Sequence, residues 1–282
     1  EDGFNEATII VGHLGDKIRD YVLSQYKINV DFVEQAEAKG LAHAIYLARK
    51  SFSSEPILII LGDTIFDVDL KPVIKGQHSA IGVKQVADPR RFGVVELTDG
   101  FAKNLIEKPE EPKSNLAIVG LYWIRNPKLL EQCIDELFLK DKKTKGEYQL
   151  TDALQLMIQQ GEKIKTFDVE GWYDCGKPET LLATNRHLLS KIPNKKKLDG
   201  VVIIPPVFIS DQAKVTNSII GPYATISDGA EIVDSIIKNS IVSEDAQVRQ
   251  VLIDNSLVGS NAVVTGNFKR INIGDSSEIE IN

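Results

Sequence analysis

The chain has 282 residues, 43% hydrophobic and 26% charged, the profile of an ordinary globular protein with apolar material for about two domains of roughly 100 to 200 residues each. A net charge of −7 and a pI near 5.3 argue against a nucleic-acid partner, which needs a basic face, and the lysine clusters at 140–145 and 195–197 read as solvated connecting segments. Cys133 and Cys175 lie far apart with no metal spacing, which fits a reducing, cytoplasmic setting, and the longest apolar run, 56–61, is far below the roughly 18 residues of a membrane span.

From residue 6 to about 191, β-branched runs alternate with amphipathic stretches, the pattern of a sheet carrying helices on its faces. The spacing predicts a strand over 8–11, a helix over 15–25, a strand over 28–33, a helix over 40–52 and a fully buried strand over 57–61. Pro56 precedes that last strand and Gly62-Asp63 follows it, so Asp63 falls at a carboxyl edge, where open α/β sheets hold ligands. Further strands are expected at 80–86, 94–97, 104–106 and 118–123, helices at 127–140 and 149–160, and a strand at 164–169 that runs into Gly171-Trp172-Tyr173-Asp174-Cys175-Gly176. Lys177-Pro178-Glu179 opens a last helix, and the polar segment 193–200 reads as a linker.

The remaining third repeats. Ile209, Ile226, Val242 and Val258 recur at steps of 17, 16 and 16 residues; Val215, Ile232, Val248 and Val264 follow six residues behind, with Ala213, Ala230, Ala246 and Ala262 between them. Ile220, Ile237 and Ile253 keep the same step. This is the signature of a parallel β-solenoid, in which stacking supplies a core that one coil cannot make alone. The alternating segment 268–281 is expected to cover the last coil or to form an interface strand.

Several residues have the chemistry of a site, each with a plainer alternative. Asp63 and Asp174 are glycine-flanked carboxylates at strand ends, suited to a hard cation bound with a polyphosphate, or simply turn formers. Glu107-Lys108-Pro109 combines an acceptor for hydroxyls with a point charge for phosphate, or is a surface ion pair. Gln35 and Gly40 offer an amide and a close backbone approach to a base edge, or make an ordinary strand-to-helix joint; His43 lies within the helical pattern and reads as a core or capping residue.

In order along the chain, Gln35 with Lys39-Gly40-Leu41-Ala42-His43-Ala44, Leu61-Gly62-Asp63, Arg91-Phe92-Gly93-Val94-Val95-Glu96 and Ile106-Glu107-Lys108-Pro109 resemble the sugar-1-phosphate nucleotidyltransferase family. Val119-Gly120-Leu121-Tyr122, Gly146-Glu147-Tyr148-Gln149-Leu150-Thr151-Asp152 and Trp172-Tyr173-Asp174-Cys175-Gly176 continue the likeness, which is nearest the long glucose-1-phosphate thymidylyltransferase type. The resemblance implies an α/β, Rossmann-like domain with a mixed, mostly parallel sheet over 1–192, a linker at 193–200, and a left-handed parallel β-helix over 201–282. It implies that Asp63 and Asp174 hold Mg²⁺, that Lys108 contacts the sugar phosphate, and that Gly93 and Glu107 bind sugar hydroxyls. Ile118 and Trp172 would line the sugar pocket, and Gln35 and Gly40 would read a pyrimidine.

The implied reaction joins a sugar 1-phosphate, glucose 1-phosphate first, to the α-phosphorus of dTTP or UTP and releases pyrophosphate, in a homo-oligomer with no nucleic-acid or membrane partner. The family's opening strand, its Gly-x-Gly-Thr-Arg loop and the Pro-Lys pair after it do not occur in these residues, so the domain is expected to be N-terminally shortened and the 282-residue polypeptide to turn over slowly or not at all. Phe92 stands where many relatives have Tyr. The alternatives are a non-catalytic regulatory or assembly subunit, a mannose-1-phosphate guanylyltransferase, or a bifunctional uridylyltransferase/acetyltransferase; no His follows His187 to serve as an acetyl-transfer base.

Overall fold

A computed structural model describes residues 4–193 and 196–266. The chain divides into two compact units, Glu1–Trp172 and Tyr173–Asn282. The sequence reading draws its boundary at 193–200; by packing, the helix before that linker groups with the second unit.

The first unit runs β1 (Glu6–Val11), α1 (Gly15–Gln25), β2 (Asn29–Glu34), α2 (Leu41–Leu47), β3 (Ile57–Ile60), β4 (Thr64–Asp67), α3 (Lys71–Ile74), β5 (Ser79–Gln85), β6 (Gly93–Thr98), β7 (Phe101–Glu107), β8 (Leu116–Ile124), α4 (Pro127–Leu139), α5 (Leu150–Gln159) and β9 (Ile164–Asp168). β10 (Gly171–Asp174) leads out of it. The expected mixed sheet is present: β5 pairs parallel with β9, while β8 runs antiparallel to β3, β5 and β6, and β1 and β2 pair parallel in a separate two-stranded sheet. β8 is buried along nearly its whole length, which explains its unbroken apolar sequence.

α4 and α5 supply the layer against this sheet. Leu130, Cys133, Ile134 and Leu137 on one, and Leu150, Ala153, Leu154 and Met157 on the other, recur at helical spacing and are fully buried. Asn126 starts α4 by accepting from Leu129 N at 3.1 Å.

Two expectations need correction. The helix over 40–52 ends at Leu47, and only a single 3₁₀ turn, Arg49–Ser51, follows. The strand after Pro56 is not fully buried: Ile60 is 51% exposed, and in the sheet β3 pairs with β8 alone among the described strands. A short apolar run states that a strand is apolar, not how many neighbours it has.

In the second unit α6 (Pro178–Ser190) precedes the solenoid. Its Asn185 accepts from Thr225 Oγ1 at 2.7 Å and donates to Tyr223 O at 3.4 Å, which ties the helix to one coil. Among the described residues twelve short strands form three four-stranded parallel sheets. Ile203, Ile220, Ile237 and Ile253 are in register in one, Ile209, Ile226, Val242 and Val258 in the second, and Val215, Ile232, Val248 and Val264 in the third. All three predicted registers are therefore real, and the arrangement is consistent with a left-handed β-helix. Ile220, Ile226, Ile232, Ile237, Val242 and Val248 are wholly buried, as are Ala230 and Ala246 at a tight corner.

The corners follow rules the apolar pattern does not display. Asn217, Asp234 and Gln250 take positive φ at successive equivalent positions, and Asn217 Nδ2 donates to Asp234 Oδ1 at 2.6 Å. Ser218 Oγ accepts from Ser235 N, and Ser235 Oγ from Val251 N, so the buried serines answer backbone donors from coil to coil. The alternating segment 268–281 lies outside the described residues. Among the described residues no helix is long and apolar enough to cross a membrane.

Candidate functional site

The clearest grouping of polar side chains is set up by a hairpin. Asp99 and Gly100, both at positive φ, form the two-residue turn between β6 and β7, the geometry that suits a twisted hairpin. The resulting register, with one irregularity between Glu96 and Leu97, places Gly93 opposite Glu107. Immediately beyond, Lys108 N donates to Phe92 O at 3.0 Å, and Lys108 takes φ 44°. A lysine in that region carries strain of order 1–3 kcal/mol, which the hairpin closure offsets.

Around this hairpin end several residues converge. Thr151 Oγ1, from the first turn of α5, donates to Glu107 Oε2 at 2.6 Å, while Lys108 Nζ stands 3.6 Å from Glu107 Oε1. The Glu107 side chain is 11% exposed and that of Lys108 45%, so the carboxylate is held and the ammonium faces outward. A Cβ on Gly93 would meet Ile118 Cδ1 and Thr151 Oγ1 at 3.0 Å and Glu107 Oε2 at 3.1 Å. The ring of Phe92 meets Trp172 edge-on, with centroids 4.9 Å apart. Gly93, Glu107, Lys108 and Ile118 are thus brought together, and Trp172 reaches them through Phe92. Burial, and secondarily the charge of Glu107, pushes the Tyr122 hydroxyl well above its ordinary range, so Tyr122 stays neutral beneath the carboxylate.

Thr151 is a residue that sequence reasoning missed as a site component, although it lies in the quoted Gly146 to Asp152 run. A hydroxyl on a helix gives no periodic signal; only the packing of α5 against β7 shows which group it answers.

A second grouping lies between β2 and α2. Gly40 has φ +104°, and a Cβ there would sit 2.5 Å from Tyr148 O and 2.8 Å from Tyr148 N. The close approach lets Tyr148 N donate to Lys39 O and Ala42 N donate to Tyr148 O. Gln35 Nε2 donates to Gly40 O at 3.2 Å and lies 3.0 Å from His43 Nδ1. Because Gly40 O can only accept, the Gln35 amide orientation is set; its nitrogen is the donor to His43 as well, and His43 carries its proton on Nε2. Burial, with the Lys39 charge adding to it, lowers the His43 pKa and favours this neutral form. Both Gln35 hydrogens are engaged, which leaves Oε1 as its available group.

Asp63 sits in the turn between β3 and β4. Leu61 N donates to Gly120 O at 3.0 Å, and Gly120, at φ +88°, has no Cβ where one would lie 2.7 Å from Leu61 Cγ. This contact seats Gly62-Asp63 at the end of β3. The Asp63 carboxylate is exposed and accepts from Thr64 Oγ1 at 3.2 Å. Asp174, in the second unit, accepts from Gly176 N at 2.8 Å through Oδ1, an Asx-type turn that feeds α6. Both carboxylates keep further oxygen lone pairs for a ligand. No cluster of three or more His, Cys, Asp or Glu side chains suited to a metal occurs among the described residues.

A family model described as nucleotidyl transferase matches residues 1–191. The chain belongs to this family. It is 37% identical over 222 residues to the bifunctional protein GlmU of Methanocaldococcus jannaschii, a match over 76% of the chain but 51% of GlmU, so it spans about half the length of that relative. It is 29% identical over 317 residues to the glucose-1-phosphate thymidylyltransferase of Streptomyces antibioticus, across 99% of the chain and 87% of the relative. A solved UDP-glucose pyrophosphorylase complexed with UDP-glucose superposes with a TM-score of 0.58 at 25% identity, covering 68% of this chain and 83% of that one. In both units, the fold agrees with what the quoted motifs imply.

Proposed function

We propose that this chain transfers a nucleotidyl group from UTP or dTTP to a sugar 1-phosphate, glucose 1-phosphate first, releasing pyrophosphate. The observation that carries the reading is the hairpin end at which Gly93, Glu107, Lys108, Ile118 and Thr151 converge. Glu107 Oε1 and Oε2 accept sugar hydroxyls there, Gly93 lets Ile118, Thr151 and Glu107 close in on the hairpin end and offers its bare backbone to the sugar, and Lys108 neutralises the phosphate. Ile118 and the Phe92–Trp172 pair give the apolar wall against which a pyranose face rests.

The oxygen of a sugar 1-phosphate is already anionic, so no general base is required. Glu107 and Lys108 contribute by position and by neutralising charge. Gln35, with only Oε1 left to offer, matches the N3–H of uracil or thymine and mismatches the bare N3 of cytosine. Asp63 and Asp174 each offer Mg²⁺ hard oxygen donors with unused lone pairs, and that ion when bound would supply charge neutralisation to the triphosphate. The solenoid serves self-association into a homo-oligomer, and the free Cys133 and Cys175 fit a reducing, cytoplasmic setting.

The test is a matrix of nucleoside triphosphates against sugar 1-phosphates, run with Mg²⁺ on the protein at its native length. Pyrophosphate release highest with UTP or dTTP and glucose 1-phosphate is expected, with CTP poor. Release that ignores the base, or none with any pair, rules the proposal out.

A further inference from the structure

A threonine in a helix ordinarily turns its hydroxyl back onto a carbonyl one turn earlier, and Thr184 of α6 does so, its Oγ1 donating to Thr180 O at 2.8 Å. Thr151 of α5 does not. The carbonyls one turn behind it already have backbone donors, Thr144 N on Glu147 O and Ala42 N on Tyr148 O. Thr151 is buried, and its hydroxyl leaves the helix to donate to Glu107 Oε2 at 2.6 Å.

That bond is not needed to join helix to strand. β7 is an edge strand of its sheet, and one turn beyond Thr151 the Gln155 side chain accepts from Leu105 N at 2.6 Å and donates to Lys103 O at 3.4 Å. A single amide thus meets the open backbone edge of β7 twice, and the buried apolar face of α5 adds its packing. The Thr151 hydroxyl is left with a local task.

The task is the orientation of one carboxylate. Among the described residues the Glu107 carboxylate accepts no other hydrogen bond, and Lys108 Nζ, 3.6 Å from Oε1, is beyond hydrogen-bond range and does not fix its plane. Both atoms of the Thr151–Glu107 bond stand over Gly93, where a Cβ would lie 3.0 Å from Thr151 Oγ1 and 3.1 Å from Glu107 Oε2, so any larger residue would wedge them apart. With Oε2 held, Oε1 keeps one direction and can only accept, which selects a hydroxyl donor at one place.

We propose that Thr151 is a positioning residue for sugar recognition: by holding Glu107 Oε2 it aims Oε1 at one hydroxyl of the sugar 1-phosphate, and selectivity for that hydroxyl depends on a side chain that does not touch the sugar. The inference rests on reading Glu107 as the sugar contact of the proposed reaction.

The test compares glucose 1-phosphate with its monodeoxy analogues in steady-state rates at saturating UTP and Mg²⁺, using wild type, Thr151→Val and Thr151→Ser at native length. Wild type is expected to penalise one analogue by about tenfold or more in kcat/KM, the one lacking the hydroxyl that faces Glu107. Thr151→Val keeps the shape of the side chain and removes its proton. It is expected to raise the KM for glucose 1-phosphate several-fold, to leave the KM for UTP unmoved, and to shrink the analogue's penalty to about twofold or less, because the analogue never drew on the held oxygen. Thr151→Ser restores the wild-type pattern. Should the valine variant fold poorly, Thr151→Ala reads the same way. A loss shared equally by glucose 1-phosphate and every analogue, or a serine variant no better than valine, overturns the role of Thr151 and leaves nucleotidyl transfer standing. Wild type that releases no pyrophosphate with any pair removes the reaction itself and the inference with it, an outcome read before any variant is made.

Discussion

The solenoid and the hairpin end of the first unit are assembled on opposite principles. In the solenoid each inward residue stacks on its equivalent one coil away, so Ile226 meets Val242 as Val242 meets Val258, and one rule repeated four times makes the core. At the hairpin end no element repeats: Gly93 and Glu107 come from two strands, Ile118 from a third and Thr151 from a helix. Redundancy makes the first arrangement tolerant in register and sensitive in volume. Uniqueness makes the second sensitive to single polar atoms while its host unit stays folded.

The largest effect expected from this contrast is on stability. Ile232→Ala empties a wholly buried position in the middle coil and should cost about 2–5 kcal/mol, read as a fall in the melting transition of the second unit. At the hairpin end, Lys108→Ala should lower kcat/KM by about 10²- to 10³-fold while leaving circular dichroism and melting unchanged. A melting loss comparable to that of Ile232→Ala would mean that Lys108 is structural and would erase the distinction.

Gly40→Ala sits between these extremes, since it perturbs backbone and site together. A Cβ driven to 2.5 Å from Tyr148 O at φ +104° should cost about 1–3 kcal/mol and raise the KM for the triphosphate more than it lowers kcat.

A smaller, pH-dependent effect is expected at His43. Its folded pKa lies below the ordinary 6.5, so above that value both folded and unfolded chains keep it neutral and it contributes no slope. As pH falls below 6.5 the unfolded state takes up the proton first, and stability declines until the folded pKa is reached. Protonation of Nδ1 also breaks the bond from Gln35, so the KM for UTP should rise as pH falls through the folded pKa, at the acid end of that window. His43→Gln should flatten both profiles. The smallest effect is assigned to Lys214→Ala, which removes an exposed ion pair to Glu231 on the outside of the solenoid and should leave melting unmoved.

Most element types could be read from residue pattern, because helix and strand periods are properties of the chain itself. The misses have definite causes. The helix expected over 40–52 ends at Leu47 because a 3₁₀ turn supervenes, and β3 is more exposed than its apolar run suggests because neighbour number is not encoded locally. β4 and α3, of four residues each, are too short for any period to register.

By itself, then, the sequence determined the phase of the solenoid, the apolar faces of α4 and α5, and the order of motifs that marks the family, since each depends on spacing along one chain. Only the tertiary structure decided that Thr151 answers Glu107, that Gly40 passes against Tyr148, and that Gln35 is left with an acceptor alone. Those outcomes depend on hairpin register and on where distant backbone atoms come to rest, and hydrogen-bond orientation at such a place is fixed by the partner rather than by the residue that carries it.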